Sequence, residues 1–200
     1  MSLGGLILAG GASSRMGSAK ALLDWGGETV VDSLAGKLLA YCAPVAVVVG
    51  HDAAAIRKHM RRAGEVMMVV NPHPEQGQLS SLQCGLRALL DRGVEGVLFL
   101  PVDYPAVKME TVGRLASAFL TQPPAALVIP RHEGRRGHPV VCGKDILEEL
   151  LALAPQGQAR EALRPHYPSA RYCDVVDAGI LRDVDVPADY EELRQAARGQ

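Results

Sequence analysis

Short apolar runs bounded by turn residues alternate along this chain with stretches whose apolar positions recur at helical spacing. That is the pattern of parallel strands joined by crossover helices. The runs Leu3 to Ala9, Val45 to Gly50, Val66 to Val70 and Gly96 to Leu100 read as buried strands. Thr29 to Tyr41 and Asp52 to Arg62 read as helices, the second opened by an acidic cap. Ser80 predicts the cap of a third helix, which carries Leu82, Leu86, Leu89 and Leu90 on one face until Gly93 stops it. Lys108 to Leu120 predicts a further helix, ended by Pro123-Pro124, and Ala126 to Ile129 a strand. The charged, glycine-rich segment Pro130 to Pro139 reads as a loop that joins paired strands and borders the site. Beyond it, Ile146 to Leu153 and Ala159 to Arg164 read as helical and Tyr172 to Val176 and Leu181 to Val184 as extended, while Pro187 opens a last helix. The class is α/β, with a mostly parallel sheet and one domain over residues 1–200, since no repeat, low-complexity tract or long linker divides the chain.

Composition removes several classes of partner. With 21 Lys+Arg against 22 Asp+Glu and no block of like charge, the chain lacks the electrostatic footprint for nucleic acid or an anionic membrane. Aromatic residues are only 4% of the chain, too few for base-stacking platforms. No run is long and apolar enough to span a bilayer, and Met1-Ser2-Leu3-Gly4-Gly5 lacks the basic start of a secretory signal, so a cytoplasmic protein is expected. Cys42, Cys84, Cys142 and Cys173 are too scattered for a zinc or redox motif and read as buried free thiols.

The chemistry concentrates after the first strand, in Leu8-Ala9-Gly10-Gly11-Ala12-Ser13-Ser14-Arg15-Met16-Gly17 followed by Lys20. Glycines there let the backbone turn its N–H groups inward as a cradle for phosphate oxygens, and Arg15 and Lys20 add charge. A plain strand-to-helix turn accounts for the glycines alone; Arg, Met, Gly and Lys at these spacings favour a ligand loop. The run fits neither Gly-x-Gly-x-x-Gly nor the Walker pattern. Asp103 follows the strand ending at Leu100, where open α/β sheets place ligands, although Asp also serves turns before proline. Asp183 and Asp185, two apart, share one face of an extended segment and can approach one cation, or else cap the last helix. Ser80 and Ser81 stand at a helix start, and His138 is either a donor to an acceptor phosphate or a structural histidine before Pro139.

Leu8-Ala-Gly-Gly-x-Ser-x-Arg-Met-Gly-x-x-Lys20 resembles the signature of the MobA-like nucleotidyltransferases. Three further stretches resemble that family in order: Asn71-Pro72 through Gly77, Ser80-Ser81-Leu82 and Gly85-Leu86; Pro101-Val102-Asp103-Tyr104-Pro105; and Arg136-Gly137-His138-Pro139-Val140. The second and last, with the ending Asp183-Val-Asp185-Val-Pro187-x-Asp189-Tyr190, are most similar to its molybdenum cofactor cytidylyltransferase branch. The resemblance implies a three-layer α/β/α Rossmann-like domain in which Leu8, Ala9, Gly10, Gly11, Ser13, Arg15, Lys20, Gly77, Ser80, Ser81 and Leu82 bind the nucleotide. It implies Arg15, Lys20 and Asp103 as catalytic residues, and Asp103 with a second carboxylate, Asp185 before Asp183, as ligands of Mg²⁺ or Mn²⁺. Gly137 and His138 would face the acceptor.

The implied reaction moves CMP from CTP to the phosphate of a molybdopterin-type acceptor and releases pyrophosphate, with a molybdoenzyme or maturation chaperone as protein partner. A guanylyltransferase using GTP and a sugar-phosphate acceptor are alternatives within the same chemistry. A non-catalytic nucleotide sensor or cofactor carrier is the alternative of another class. Gly10 stands where cytidylyl members carry Ala, which resembles the guanylyl members and suggests room beside the base. Ser80-Ser81-Leu82 and Arg136-Gly137-His138-Pro139 point the other way, to CTP.

Overall fold

The computed structural model describes residues 2–11, 16, 19–121 and 126–198. In chain order the elements are β1 (Leu3–Ala9), β2 (Asp24–Trp25), β3 (Glu28–Thr29), α1 (Val30–Leu39), β4 (Val45–Val49), α2 (Ala53–His59), β5 (Met67–Val70) and α3 (Gln78–Leu90). They continue with β6 (Gly96–Pro101), α4 (Met109–Leu120), β7 (Leu127–His132), β8 (Arg135–Arg136), β9 (Val140–Gly143), α5 (Lys144–Ala152), α6 (Ala159–Leu163), β10 (Arg171–Asp174) and α7 (Pro187–Arg198). Short 3₁₀ turns lie between them, among them Pro74–Gln76 and Ala178–Leu181.

The main sheet runs β10-β7-β9-β6-β1-β4-β5, with β8 appended to β7. β1 pairs in parallel with β4 and β6, β4 with β5 and β7 with β10, whereas β9 runs antiparallel to both β6 and β7. The expected mostly parallel α/β/α sandwich is therefore present, with one reversed strand inside it. Side chains alternate along β1: Leu3, Ile7 and Ala9 enter a core with α1, α2 and α4, while Leu6 and Leu8 enter a second core with α3, α5 and α6. Both faces of the central strands are thus covered, which is why they read as unbroken apolar runs. The strand order reverses at β1, because the chain passes from β1 outward through β4 and β5 and returns to β6 on its other side. The crevice beyond the carboxyl ends of β1, β4, β5 and β6 follows from that reversal.

Several expectations need correction. α3 begins at Gln78, with Gly77 at its N-cap position and φ of 100°, so Ser80 lies in the first turn and is not the cap. Asp52 precedes α2 without a side-chain cap bond. The segment from Pro130 does join paired strands, β7 and β9, but it is not all loop: β7 continues to His132, turns through Glu133 and Gly134, and returns as β8. Both turn residues have positive φ, 48° and 77°, the backbone twist that a two-residue hairpin requires. A similar turn through Gly26 and Gly27, between β2 and β3, went unnoticed in the sequence. Leu181 ends a 3₁₀ turn, and the stretch to Val184 forms no strand because its backbone bonds serve other elements. Of the cysteines only Cys42 and Cys142 are buried; Cys84 and Cys173 are partly exposed. Among the described residues, no helix is long and apolar enough to cross a membrane.

α3 reaches β1 through a glycine. A Cβ at Gly85 would lie 2.3 Å from Leu6 Cδ1 and 2.8 Å from Val48 Cγ2, both in a fully buried layer. Gly85→Val is expected to destabilise the protein by about 3 kcal/mol through overpacking, read as a lower urea midpoint at unchanged m-value.

Candidate functional site

At the end of β1 the chain turns through Gly10 and Gly11 into a cleft of about 330 Å³. Its walls include Leu8, Ala9, Lys20, Gly77, Ser81, Asp103 and Asp185, so most of the sequence-predicted residues converge. Ser13 and Arg15 lie outside the described residues. Ser80 and Leu82 do not line this cleft: Leu82 is buried in the core, and the Ser80 hydroxyl lies 2.9 Å from Gly77 O and 3.2 Å from His73 O. The space beside Gly10 is also not empty. A Cβ there would lie 2.8 Å from Ser81 Oγ, so glycine at this position admits the serine hydroxyl and does not leave a free pocket beside the base.

The carboxylates are gathered by backbone bonds. Asp103 follows β6, and its carbonyl accepts from Val184 N at 2.8 Å, which draws residues 183–185 against the strand end. Val184 is buried with Tyr190 and Leu193, so the flanking aspartates face the other way. One carboxylate oxygen each from Asp103, Asp183 and Asp185 lies within 4.8 Å of the others. Asp183 and Asp185 thus both reach Asp103. Asp189, which the sequence reading left without a role, accepts from Asp185 N and Val186 N at 2.9 Å each and fixes this turn at the start of α7. Its position four residues after Asp185 and two after Pro187 was the available signal.

Charge in this cluster is only partly offset. Lys20 Nζ donates to Asp185 Oδ1 at 2.9 Å. Burial raises the Asp103 carboxyl above its ordinary value, Lys20 pulls it back, and Asp183 and Asp185 add to the rise. Among the described residues, Asp103 Oδ1 is buried without a hydrogen-bond partner. A buried, unsatisfied carboxylate oxygen beside two more carboxylates is a donor set for a hard divalent cation, which takes oxygen ligands.

The sequence reading placed Asn71 in a family-like stretch but gave it no role. It is buried at the end of β5, and its N–H bonds Val49 O at 2.8 Å. Its side chain reaches both serines of α3, with Nδ2 at 2.9 Å from Ser80 Oγ and 2.9 Å from Ser81 Oγ.

A second cavity of about 610 Å³ shares Leu8, Gln78 and Pro101 with the first. Arg135, Arg136 and Arg160 line it with Tyr104, Tyr167 and His138. The Arg136 guanidinium lies 4.2 Å from the Tyr167 ring centre. His138 rests against Tyr104 with ring centres 4.8 Å apart, and its Nδ1 is buried without a partner among the described residues. Gly137 has a packing reason as well, since a Cβ there would lie 2.1 Å from Ile180 O.

Comparison with known proteins shows the family and the fold. A family model described as "MobA-like NTP transferase domain" matches residues 5–171. The chain is 26% identical to a molybdenum cofactor cytidylyltransferase of Escherichia coli K12 over 187 residues, covering 92% of each chain. It is 35% identical to a molybdenum cofactor guanylyltransferase of Cereibacter sphaeroides over 164 residues, covering 80% of this chain and 79% of the other. Among solved structures, Rv0371c from Mycobacterium tuberculosis H37Rv has a TM-score of 0.81 at 26% identity and 98% coverage of both chains. A complex of Rv0371c with manganese has a TM-score of 0.75 at 23% identity, covering 98% of this chain and 100% of the other.

Burial pushes the His138 imidazole down to about 4, with Asp183 opposing, so the ring is neutral in the fold. Its folded value lies below its unfolded one, near 6.5; stability is full above pH 6.5 and falls as pH drops toward 4, where the unfolded chain binds the proton first. His138→Gln removes this dependence. Urea unfolding from pH 7 to 4 is expected to show wild type losing about 3 kcal/mol more than the variant.

Proposed function

Because this chain belongs to the MobA-like NTP transferase family, we propose that it transfers a nucleoside monophosphate from an NTP to the phosphate of a molybdopterin-type acceptor. An acceptor phosphate oxygen attacks the α-phosphorus, a new P–O bond forms, and the bond to the departing pyrophosphate breaks. The observation that carries this reading is the meeting of two cavities at Leu8, Gln78 and Pro101, with Lys20, Asp103 and Asp185 on the wall of the first. A carrier or sensor has no use for three convergent carboxylates with a lysine beside them.

The first cleft is the nucleotide side. Gly10 and Gly11 bring backbone close to the phosphates, and Lys20 stands in the same wall. Arg15 joins them in this proposal on sequence grounds. Asp103, Asp183 and Asp185 would hold Mg²⁺ or Mn²⁺. Such an ion, when bound, supplies positive charge against the phosphates. The remaining work of the chain is positioning and charge neutralisation, since phosphoryl chemistry of this kind needs little covalent help. The second cavity suits the acceptor: three arginines on its wall for phosphate, and Tyr104, Tyr167 and His138 for a planar heterocycle. Burial, with Asp183 and Asp103 adding to it, pushes the Tyr104 phenol up to about 12, which keeps its proton available for donation.

CTP is the proposed donor. Relatives include both cytidylyl and guanylyl enzymes, so the support comes from the Ser80-Ser81-Leu82 and Arg136-Gly137-His138-Pro139 runs. Gly10 no longer counts toward a purine, because Ser81 Oγ occupies the neighbourhood a methyl would take.

Asp103→Asn and Lys20→Ala are each expected to lower pyrophosphate release by about a hundredfold while the urea midpoint stays near wild type. Turnover within twofold of wild type in either variant would remove that residue from the reaction. Calorimetric titration with Mg²⁺ present is expected to show CTP binding more tightly than GTP. GTP binding tenfold more tightly would assign the guanylyl reaction.

A further inference from the structure

The network behind Ser81 has a direction. The backbone N–H of His73 donates to Asn71 Oδ1 at 2.9 Å, and a backbone N–H can only donate. This fixes the amide orientation: Oδ1 faces the turn after β5, and Nδ2 faces the serines of α3. Nδ2 in turn can only donate, so at 2.9 Å the Ser81 hydroxyl oxygen accepts. Among the described residues, no acceptor takes the Ser81 proton, whereas the Ser80 hydroxyl has Gly77 O and His73 O within reach. Ser81 is almost fully buried and stands in the wall of the nucleotide cleft beside Gly10 and Gln78. Its proton therefore has the cleft to turn to.

Resting on the assignment of this cleft to the nucleotide, we infer that Asn71 is a positioning residue that makes Ser81 a fixed hydrogen-bond donor to an acceptor-only group of the base, a ring carbonyl. The alternative receivers are weaker matches. A ribose hydroxyl both donates and accepts, so it needs no partner of fixed direction. Phosphate oxygens have Lys20 and the glycine backbone in the same cleft. Cytosine and guanine each present a carbonyl oxygen, so the device orients the base without by itself choosing between them. Gly10 belongs to the same arrangement, since a side chain there would meet the Ser81 hydroxyl at 2.8 Å.

The direction is reversible by one isosteric change. In Asn71→Asp, His73 N still finds an oxygen, but the other carboxylate oxygen accepts from Ser81, whose lone pair then faces the cleft. The experiment titrates CTP or GTP, whichever wild type binds more tightly, against inorganic tripolyphosphate, which lacks sugar and base, with Mg²⁺ throughout. Ser81→Ala is expected to weaken the nucleotide about three- to tenfold and leave tripolyphosphate unchanged, the loss of one neutral hydrogen bond. Asn71→Asp is expected to lower the ratio of nucleotide to tripolyphosphate affinity at least as much, and to lower it no further once Ser81 is Ala. An unchanged ratio in Asn71→Asp overturns the inference, because an adaptable ribose hydroxyl tolerates the reversal. So does an equal further loss in the Ser81→Ala background. If Asn71→Asp does not fold, Ser81→Ala decides alone: a nucleotide-specific loss upholds the donor and unchanged affinity overturns it. Lys20→Ala separates the two levels. If it weakens the nucleotide and Ser81→Ala does not, only this inference falls; if neither does, the assignment of the cleft falls with it.

Discussion

Three carboxylates within 4.8 Å repel one another, and holding them together is what the surrounding structure must accomplish. Two come from a segment with no strand or helix of its own, so its position depends on a few bonds. Val184 N to Asp103 O ties it to the end of β6, the buried Val184 side chain sets which way its neighbours face, and Asp189 holds the backbone beyond. The first two partners are neutral, and the Asp189 carboxylate binds only backbone N–H groups, so none neutralises the negative charge that the cluster offers. Among the described residues, Lys20 is the cation bonded to it, from a position 165 residues earlier in the chain.

The sheet supplies the rigid part. β1 is buried on both faces and pairs in parallel on both edges, which puts Gly10, Asp103 and Asn71 at one rim although they lie on three different strand ends. Close approach then does the fine placement. Gly85 lets α3 settle on β1, and Gly10 leaves space for the hydroxyl that α3 carries there. Where the packing is this close, a methyl group shifts the site as surely as a change of charge.

The central strands, their crossover helices and the glycine turn could be read from the chain because each leaves a local mark: an apolar run, a helical period, a cluster of turn residues. Asp103 and Lys20 were found for the same reason, since each follows such a mark. The segment after Pro130 joins paired strands as expected, but the β7–β8 hairpin inside it is hidden because arginine and glycine look like loop composition, while the hairpin is set by two positive φ angles at Glu133 and Gly134. Ser80 was misplaced because a serine near a helix start fits the cap pattern, and only the tertiary bond from Asn71 shows that it turns inward. Asn71 stands in a family-like stretch, but nothing local says what its side chain does; its bonds to the serines exist only once β5 and α3 are side by side.

The last stretch of chain closes onto the first. Lys20 bonds Asp185 across 165 positions, and the Tyr190 hydroxyl donates to Asp24 O across 166. A growing polypeptide that has emerged only as far as β10 already possesses most of the sheet and the glycine turn, but just one of the three carboxylates. During synthesis on the ribosome, then, the order of events is set by topology: the glycine rim of the cleft is laid down early, and the cluster of three carboxylates is complete only once the segment after β10 has emerged.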